Sequence, residues 1–209
     1  MGERRPDDDP SADAHLRETF VGSHTLLSGG YLEVRRDTVR LPDGSEATRE
    51  FIRHPGAVAV IPVLGKGPDP EVVLVRQHRY PVDRVLLEWP AGKRDAGEGL
   101  LAGAARELAE ETGYTAAEWA YAGRIHNAPA YSSEVLHLWF ARGLAAGTAR
   151  PDVGEFLQTV TMRLSALAAL DLAGELTDVK TAIGLHWLQQ ALAGHRAQHW
   201  AGGGQPEPL

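Results

Sequence analysis

The stretch of residues 88–114, EWPAGKRDAGEGLLAGAARELAEETGY, constrains the fold of this chain more than any other stretch. Its alanine-rich second half predicts a helix that begins near Gly99 and ends at Gly113, because glycine favours the left-handed conformation that closes a helix. At 100° per residue, one side of this helix collects acidic residues and a second side should face the core. The acidic side carries Gly103, Glu107, Glu110 and Glu111, and the core side carries Leu101, Ala105, Leu108 and Thr112.

Glu107 and Glu111 are one helical turn apart, so their carboxylates can converge. Two unpaired like charges at this spacing destabilise a helix, and a divalent cation between them removes the repulsion. Hard oxygen ligands of this kind suit Mg²⁺ or Mn²⁺. The alternative is an acidic helix face exposed to solvent, which is what most charge runs are.

The wider spacing decides between these alternatives. Gly92 is followed after five residues by Glu98, and after seven more by the run Arg106–Tyr114, RELAEETGY. These fixed positions match the Nudix box, so the chain resembles the Nudix hydrolases, which cleave a nucleoside diphosphate linked to another group. The resemblance implies a Nudix-type α/β/α sandwich with a mixed sheet, in which the box forms a loop, a helix and a loop.

The resemblance also implies roles for residues of the box. It makes Glu107 and Glu111 the principal metal ligands, with Glu110 as a third ligand, directly or through a water. It adds the main-chain carbonyl of Ala91 to the ligand set, and it implies that Arg106 orients the glutamates as part of the catalytic group. The implied cofactor is Mg²⁺, with Mn²⁺ as an alternative.

Two further glutamates keep two interpretations each. Glu98 is either an outer metal ligand or a residue that fastens the loop of the box. Glu155 lies in the segment PDVGEFLQ, where relatives carry a glutamate that acts as a general base or positions the attacking water; the alternative is an acidic surface loop. This segment is less acidic than is usual in relatives, which leaves the identity of the base open.

Several runs outside the box resemble one Nudix subfamily, the ADP-ribose pyrophosphatases. These runs are GAVAVIP, VRQHRY, LLEWPAG, NAPAYSSE and GELTDVKTAIGLHWL. The resemblance implies that Arg79 contacts a substrate phosphate and that Arg49 and Glu50 help to bind the nucleoside. It implies that Pro129 and Ser133 lie in the loop over the terminal ribose.

The order of apolar runs and turn signals indicates an α+β fold with strands around the acidic helix. We expect disorder over residues 1–14, a three-stranded antiparallel sheet over 15–55, a catalytic domain over 56–197 and a flexible tail over 198–209. Two helices should close the catalytic domain. The first would use Ser165 as its N-cap, and the second would begin near Asp178.

Composition narrows the class of protein. The chain has 209 residues, a net charge of −7 and no cysteine, which argues against a general nucleic-acid binder and against disulfide or thiol chemistry. It has neither an apolar run long enough for a membrane span nor a signal peptide, so we expect a cytoplasmic protein. The N-terminal sheet is thin, which predicts that it packs on a second subunit in a homodimer.

The sequence therefore predicts a Mg²⁺-dependent pyrophosphatase that converts ADP-ribose to AMP and ribose 5-phosphate. One alternative is a Nudix enzyme acting on another nucleoside diphosphate derivative, such as GDP-mannose, NADH or a dinucleoside polyphosphate. A second is a non-catalytic module that senses ADP-ribose, although the complete box argues against it.

Overall fold

The structure is a computed structural model, and it describes residues 13–30 and 32–202. Of the residues expected to be disordered or flexible, 1–12 and 203–209 lie outside the described residues. Ala14, at the end of the segment 1–14 for which we expected disorder, begins a short 3₁₀ helix, Ala14–Leu16. The chain divides into two compact units. One comprises Met1–His54 with Ala128–Glu134, and the other comprises Pro55–Asn127 with Val135–Leu209.

The first unit is an antiparallel sheet of three strands in the order β1, β2, β3, which confirms the predicted N-terminal sheet. Its strands are β1 (Thr19–Ser28), β2 (Glu33–Arg40) and β3 (Glu46–Arg53). Gly44, at φ 87°, turns the chain between β2 and β3, a conformation that glycine adopts without strain. The segment 128–134 belongs to this unit, since Ile52 donates to the carbonyl of Tyr131 at 2.8 Å.

The second unit is built on a mixed sheet in which β4 and β9 are parallel and the other paired strands are antiparallel. The strand order is β10, β5, β4, β9, β8, β11, with β6 beside β5 and β7 beside β4. The strands are β4 (Ala57–Leu64), β5 (Glu71–Arg79), β6 (Arg84–Glu88), β7 (Ala91–Lys93), β8 (Thr115–Ile125), β9 (Leu136–Ala145), β10 (Leu157–Arg163) and β11 (Ala201–Gly202).

Three helices complete the second unit: α1 (Leu100–Thr112), α2 (Leu164–Leu172) and α3 (Val179–Leu192). Side chains alternate between the two faces of a strand, and β4 uses both faces. Val58 and Val60 pack in a cluster with α1, whereas Ala59 and Ile61 pack in a cluster that contains residues of α2 and α3. The sheet therefore lies between two helical layers, which confirms the predicted α/β/α sandwich.

The predicted helix ends are right for two helices and wrong for one. Gly99 is the N-cap of α1 and Gly113, at φ 76°, closes it. Asp178 is the N-cap of α3. Ser165 does not cap α2: Arg163 is the N-cap, and the Ser165 amide and hydroxyl donate to Asp69 at 2.8 and 3.0 Å. A local pattern could not show that an aspartate nearly 100 residues earlier takes both donors.

The described part of the tail is paired to the sheet. Ala201 and Gly202 form β11, opposite Trp119 and Glu118 of β8, and Trp200 packs against the core. This strand falls within residues 198–209, for which we expected flexibility. Within the described residues, no helix combines the length and apolar character that crossing a membrane requires.

Candidate active site

Helix α1 brings the two predicted metal-binding carboxylates together, because Glu107 and Glu111 are one turn apart. Both lie on the side of the helix that faces Ala91 and Gly92. Glu107 and Glu111 are 8% and 4% exposed, so both carboxylates are largely withdrawn from water. Glu111 accepts a hydrogen bond from the Ala91 amide at 3.3 Å. A Cβ atom built on Gly92 would overlap the Glu107 carboxylate. Only glycine at position 92 leaves room for Glu107 where it lies.

Burial raises the pKa of Glu107 to about 7; the charge of Arg106 opposes this rise, and the charges of Glu110 and Glu155 add to it. Burial likewise raises the pKa of Glu111 to about 8, with further contributions from the charges of Glu107 and Glu155. Without a counter-ion, two such carboxylates resist losing their protons. A cation placed between them would favour the charged forms.

The donor set fits a divalent cation with hard-oxygen preference. Glu107 and Glu111 offer buried carboxylate oxygens, and the glycine at position 92 leaves the room that the Glu107 carboxylate occupies. Among the described residues, no three His, Cys, Asp or Glu side chains form a ready metal cluster. Mg²⁺ commonly takes one or two carboxylates and completes its shell with water and substrate phosphates, so this small set suffices.

Arg106 links the acidic residues of the box. Its guanidinium donates to Glu98 at 2.8 and 3.0 Å, to Glu107 at 2.8 Å and to Glu110 at 2.9 Å. It also donates to the carbonyl of Lys93 at 3.1 Å. Hydrogen bonding to Glu98 raises the pKa of Arg106, so its charge is secure at any working pH. These hydrogen bonds are what the orienting role implied by the resemblance would require.

Glu98 fastens the loop of the box. Besides its two bonds to Arg106, it accepts a hydrogen bond from the Asp95 amide at 3.1 Å, and its main-chain carbonyl accepts from Arg94 at 2.6 Å. The hydrogen bonds from Arg106 lower the pKa of Glu98. Of the two sequence interpretations, these contacts match the loop fastener.

The loop that carries Glu155 and the strand that follows it, β10, are each attached to the end of α1. The Arg150 amide donates to the Glu110 carbonyl at 2.8 Å, and the Thr159 hydroxyl donates to the Glu111 carbonyl at 3.2 Å. Glu155 itself is exposed, and its carboxylate accepts from the Asp152 amide at 3.4 Å. Since its charge raises the pKa of Glu107 and Glu111, it lies within electrostatic reach of both.

Arg79 is held by a residue that the sequence analysis did not single out. Glu88, 1% exposed, accepts hydrogen bonds from Arg79 Nε and Nη2, both at 2.7 Å, and pairs with Lys180 through its Oε2 atom. Burial alone would raise the pKa of Glu88, but the hydrogen bonds from Arg79 and the charge of Lys180 outweigh it, so the pKa is lowered. The Arg79 side chain stays 40% exposed.

The remaining predicted substrate residues lie in the first unit, on and beside its sheet. Arg49 and Glu50 are consecutive in β3, so they point to opposite faces. Arg49 pairs with Glu18, and Glu50 accepts from Arg36 at 2.8 Å. Pro129 is exposed, and Ser133 accepts a hydrogen bond from the His54 amide at 2.9 Å.

A cavity of about 330 Å³ opens on the Arg49 face of this sheet. Two aromatic rings, two arginines and three smaller polar groups line it: Phe20, Phe51, Arg35, Arg53, Ser23, Asp37 and Ser133. Ser133 is thus part of a cavity wall, as is Phe51, two positions along β3 from Arg49. Glu50 projects from the other face.

Three residues of the site were missed by the sequence analysis: Glu88, Lys180 and Thr159. Glu88 and Lys180 are 92 residues apart, and only the packing of α3 against the end of β6 joins them. The sequence does place Glu88 and Lys180 beside apolar runs, in LLEWPAG and LTDVKTAIG, and this could have drawn attention to them. A charge at the edge of a buried run needs a partner, but the sequence does not say which.

The carboxylate-bearing helix beside a mixed sheet defines a hydrolase fold of the Nudix type. Residues 53–181 match the family model described as NUDIX domain, and residues 18–52 match the one described as Nucleoside diphosphate sugar hydrolase N-terminal domain. The chain belongs to the Nudix family, whose members generally need a divalent metal, typically Mg²⁺.

Curated relatives support the same family. An ADP-ribose pyrophosphatase of Bacillus subtilis (strain 168) is 34% identical over 83% of this chain and 94% of that protein. An ADP-ribose pyrophosphatase of Mycobacterium tuberculosis is 35% identical over 90% of this chain and 87% of that protein. A crystal structure of an ADP compounds hydrolase superposes with a TM-score of 0.73 at 22% identity and covers 86% of this chain and 96% of its own, which shows the shared fold.

Proposed function

We propose that this chain is a Mg²⁺-dependent ADP-ribose pyrophosphatase that yields AMP and ribose 5-phosphate. The observation that carries the proposal is the pair of buried carboxylates, Glu107 and Glu111, of which Glu107 occupies the room that Gly92 leaves. The two relatives named ADP-ribose pyrophosphatase, each covered over most of its length, support this substrate.

In this reaction a water oxygen bonds to one phosphorus of the diphosphate, and the bond from that phosphorus to the bridging oxygen breaks. The bridging oxygen leaves on the other phosphate with its electron pair. Attack at either phosphorus gives the same two products. The metal, held by Glu107 and Glu111 with the Ala91 carbonyl, would neutralise phosphate charge and lower the pKa of the attacking water.

The remaining roles belong to the chain's own groups. Arg106 keeps Glu107 and Glu110 in place through bonds of 2.8 and 2.9 Å. Glu155, exposed on its anchored loop, accepts the proton of the attacking water. Arg79 has two donors fixed on Glu88, and its exposed edge remains for a substrate phosphate.

We assign nucleoside binding to the N-terminal unit. The cavity beside Phe20 and Phe51 combines aromatic faces, which suit a purine ring, with charged groups that can hydrogen-bond a base or ribose. Arg49 lies on the same face, whereas Glu50 would have to act from the opposite one. Pro129 and Ser133 belong to the loop segment of this unit and are proposed to cover the ribose.

We also propose that the N-terminal sheet forms the contact of a homodimer. Strand β1 exposes Leu26 and Leu27 to the extent of 47% and 52%. An apolar strand of this kind is costly to leave in water, and a second copy of the same sheet would cover it.

A substrate panel tests the proposed function. ADP-ribose should give the highest kcat/KM among ADP-ribose, GDP-mannose, NADH, diadenosine polyphosphates and oxidised dGTP, each with Mg²⁺. A site that hydrogen-bonds adenine rejects guanine strongly, because the wrong base leaves buried polar groups unpaired. Equal or better turnover of GDP-mannose would refute the substrate and leave the family intact. Tight ADP-ribose binding without hydrolysis of any compound would indicate a sensor instead.

The N-terminal family match favours one second candidate. Its description, nucleoside diphosphate sugar hydrolase, covers sugars other than ribose, so a different ADP-sugar is the alternative substrate. Adding ADP-glucose and ADP-mannose to the panel separates these two candidates.

A further inference from the structure

Lys180 is a buried cation that the mechanism above does not use. Its residue is 8% exposed, and its ammonium pairs with Glu88 and, at 3.0 Å, with Asp178. Glu88 is in turn the partner of Arg79. Lys180 is therefore linked through one carboxylate to the arginine proposed to bind a substrate phosphate.

The contacts are atom-specific. Arg79 donates from Nε to Glu88 Oε1 and from Nη2 to Glu88 Oε2, which fixes the guanidinium in the plane of the carboxylate. Lys180 binds Oε2, the same oxygen that receives Nη2. If an apolar side chain replaced Lys180, Oε2 would lose one of its two partners, and the carboxylate could rotate with the guanidinium attached to it.

The charges around Arg79 also indicate a role for Lys180 in phosphate binding. One carboxylate facing one guanidinium would cancel the positive charge that should attract phosphate. Lys180 adds a second positive charge next to Glu88, so that with Asp178 the four groups carry two positive and two negative charges. Without Lys180 the cluster would be negative, which opposes phosphate binding. Asp178 is also the N-cap of α3, where it accepts from the Thr181 amide at 3.0 Å, so its charge is partly engaged by the helix end.

We propose that Lys180 is a positioning residue for diphosphate binding. It acts through Glu88 to orient Arg79, and its positive charge offsets the negative charge of Glu88. The inference rests on the proposed function for its substrate. It places the control of phosphate affinity in the first turn of α3, on the opposite helical layer from the carboxylates of α1.

The neighbouring Thr181 supplies a matched control. Its hydroxyl accepts from the Trp89 amide at 3.0 Å, and its carbonyl accepts from Trp89 Nε1 at 3.1 Å. Thr181 is fully buried and joins the same turn of α3 to Trp89, the residue after Glu88, and its hydroxyl donates to Asp178 at 2.5 Å. It carries no charge, and among the hydrogen bonds of the described residues none joins it to Arg79 or Glu88. A purely structural role for this turn would make substitutions at 180 and 181 behave alike.

The test is a double-mutant cycle of Lys180→Met with Arg79→Gln, with Thr181→Val as control and ADP-ribose as substrate. Lys180→Met should raise KM about tenfold and change kcat less than threefold, because the loss is in substrate binding. Thr181→Val should lower Tm and leave KM within twofold of wild type. In the Arg79→Gln background, Lys180→Met should add less than a twofold change in KM.

Two results would overturn the inference: an unchanged KM in Lys180→Met, or the same tenfold rise in both backgrounds. If Lys180→Met does not fold, Lys180→Gln keeps a hydrogen-bond donor at the site and faces the same criteria. Calorimetry with inorganic pyrophosphate and Mg²⁺ repeats the cycle without turnover. Wild type that binds pyrophosphate but does not cleave ADP-ribose would refute the proposed function alone, and the pyrophosphate cycle would still decide the role of Lys180.

Discussion

Gly92→Ala should separate activity from stability more cleanly than any other single change. The new Cβ atom would overlap the Glu107 carboxylate, which is the end of a flexible side chain and can swing away. The free energy of unfolding should change little. The substitution gains about 0.4–1 kcal/mol by restricting the unfolded chain. Loss of the Arg106–Glu107 hydrogen bond costs about 0.5–1.5 kcal/mol, because Arg106 keeps its bonds to Glu98 and Glu110.

The same displacement of the Glu107 carboxylate should lower activity strongly. A carboxylate displaced by about 1 Å from a catalytic position costs about 10²-fold in rate. We therefore expect kcat on ADP-ribose to fall about 10²-fold and half-maximal activity to need more Mg²⁺, while Tm stays within about 3 °C of wild type. Steady-state kinetics across a Mg²⁺ series, with calorimetric melting, measures both. Gly202→Ala, where a Cβ meets nothing within 4 Å, is the matched control.

A kcat within threefold of wild type in Gly92→Ala would refute the reasoning, because Glu107 would then not need the place that the structure gives it. A Tm lowered by 10 °C or more would show that the new side chain disrupts the sheet instead. Activity could then not be attributed to Glu107.

Three other predictions follow from the site and from the N-terminal sheet. Glu155→Gln should lower kcat and leave the Mg²⁺ dependence nearly unchanged, since a base acts in the transition state; a strong loss of metal affinity would make Glu155 a ligand. The protein should sediment as a dimer that Leu27→Asp dissociates, and a concentration-independent monomer would rule out the β1 contact. In EDTA, the raised pKa of Glu111 stabilises the fold below about pH 4.5, and this contribution is lost as the pH rises through about 8. The melting temperature of wild type relative to Glu111→Gln should therefore fall over that range, and a flat difference would contradict the burial of this carboxylate.

The local part of the site could be predicted from the sequence because its residues are close along the chain. Spacing placed Glu107 and Glu111 on one helix side, and glycines marked both ends of α1. Strand β4, Ala57–Leu64, has an equally local signature, because a continuous apolar run between turn residues is typical of a buried strand. These features depend on periodicity and backbone preference, which the sequence displays directly.

The long-range part could not be predicted. Arg79 was expected to face a phosphate, and the structure adds that Glu88 already holds two of its donors. The pairing of Glu88 with Lys180 depends on where α3 packs, and helix periodicity does not supply that position. The prediction that Ser165 caps α2 was wrong for the same reason, since the Ser165 hydroxyl donates to Asp69 and does not bond to its own helix. Each case turns on a tertiary partner that competes with a local preference.

The measurement that tests the central claim most directly is product analysis of ADP-ribose incubated with wild type, Glu107→Gln and Glu111→Gln, with Mg²⁺ and with EDTA. Wild type should release AMP and ribose 5-phosphate in equal amounts only with Mg²⁺. Each variant should keep its circular dichroism spectrum and lose about two to four orders of magnitude in kcat, because a lost ligand weakens the charge neutralisation that cleavage needs. Turnover near that of wild type in either folded variant would contradict the account, because that carboxylate would then lie outside the catalytic centre.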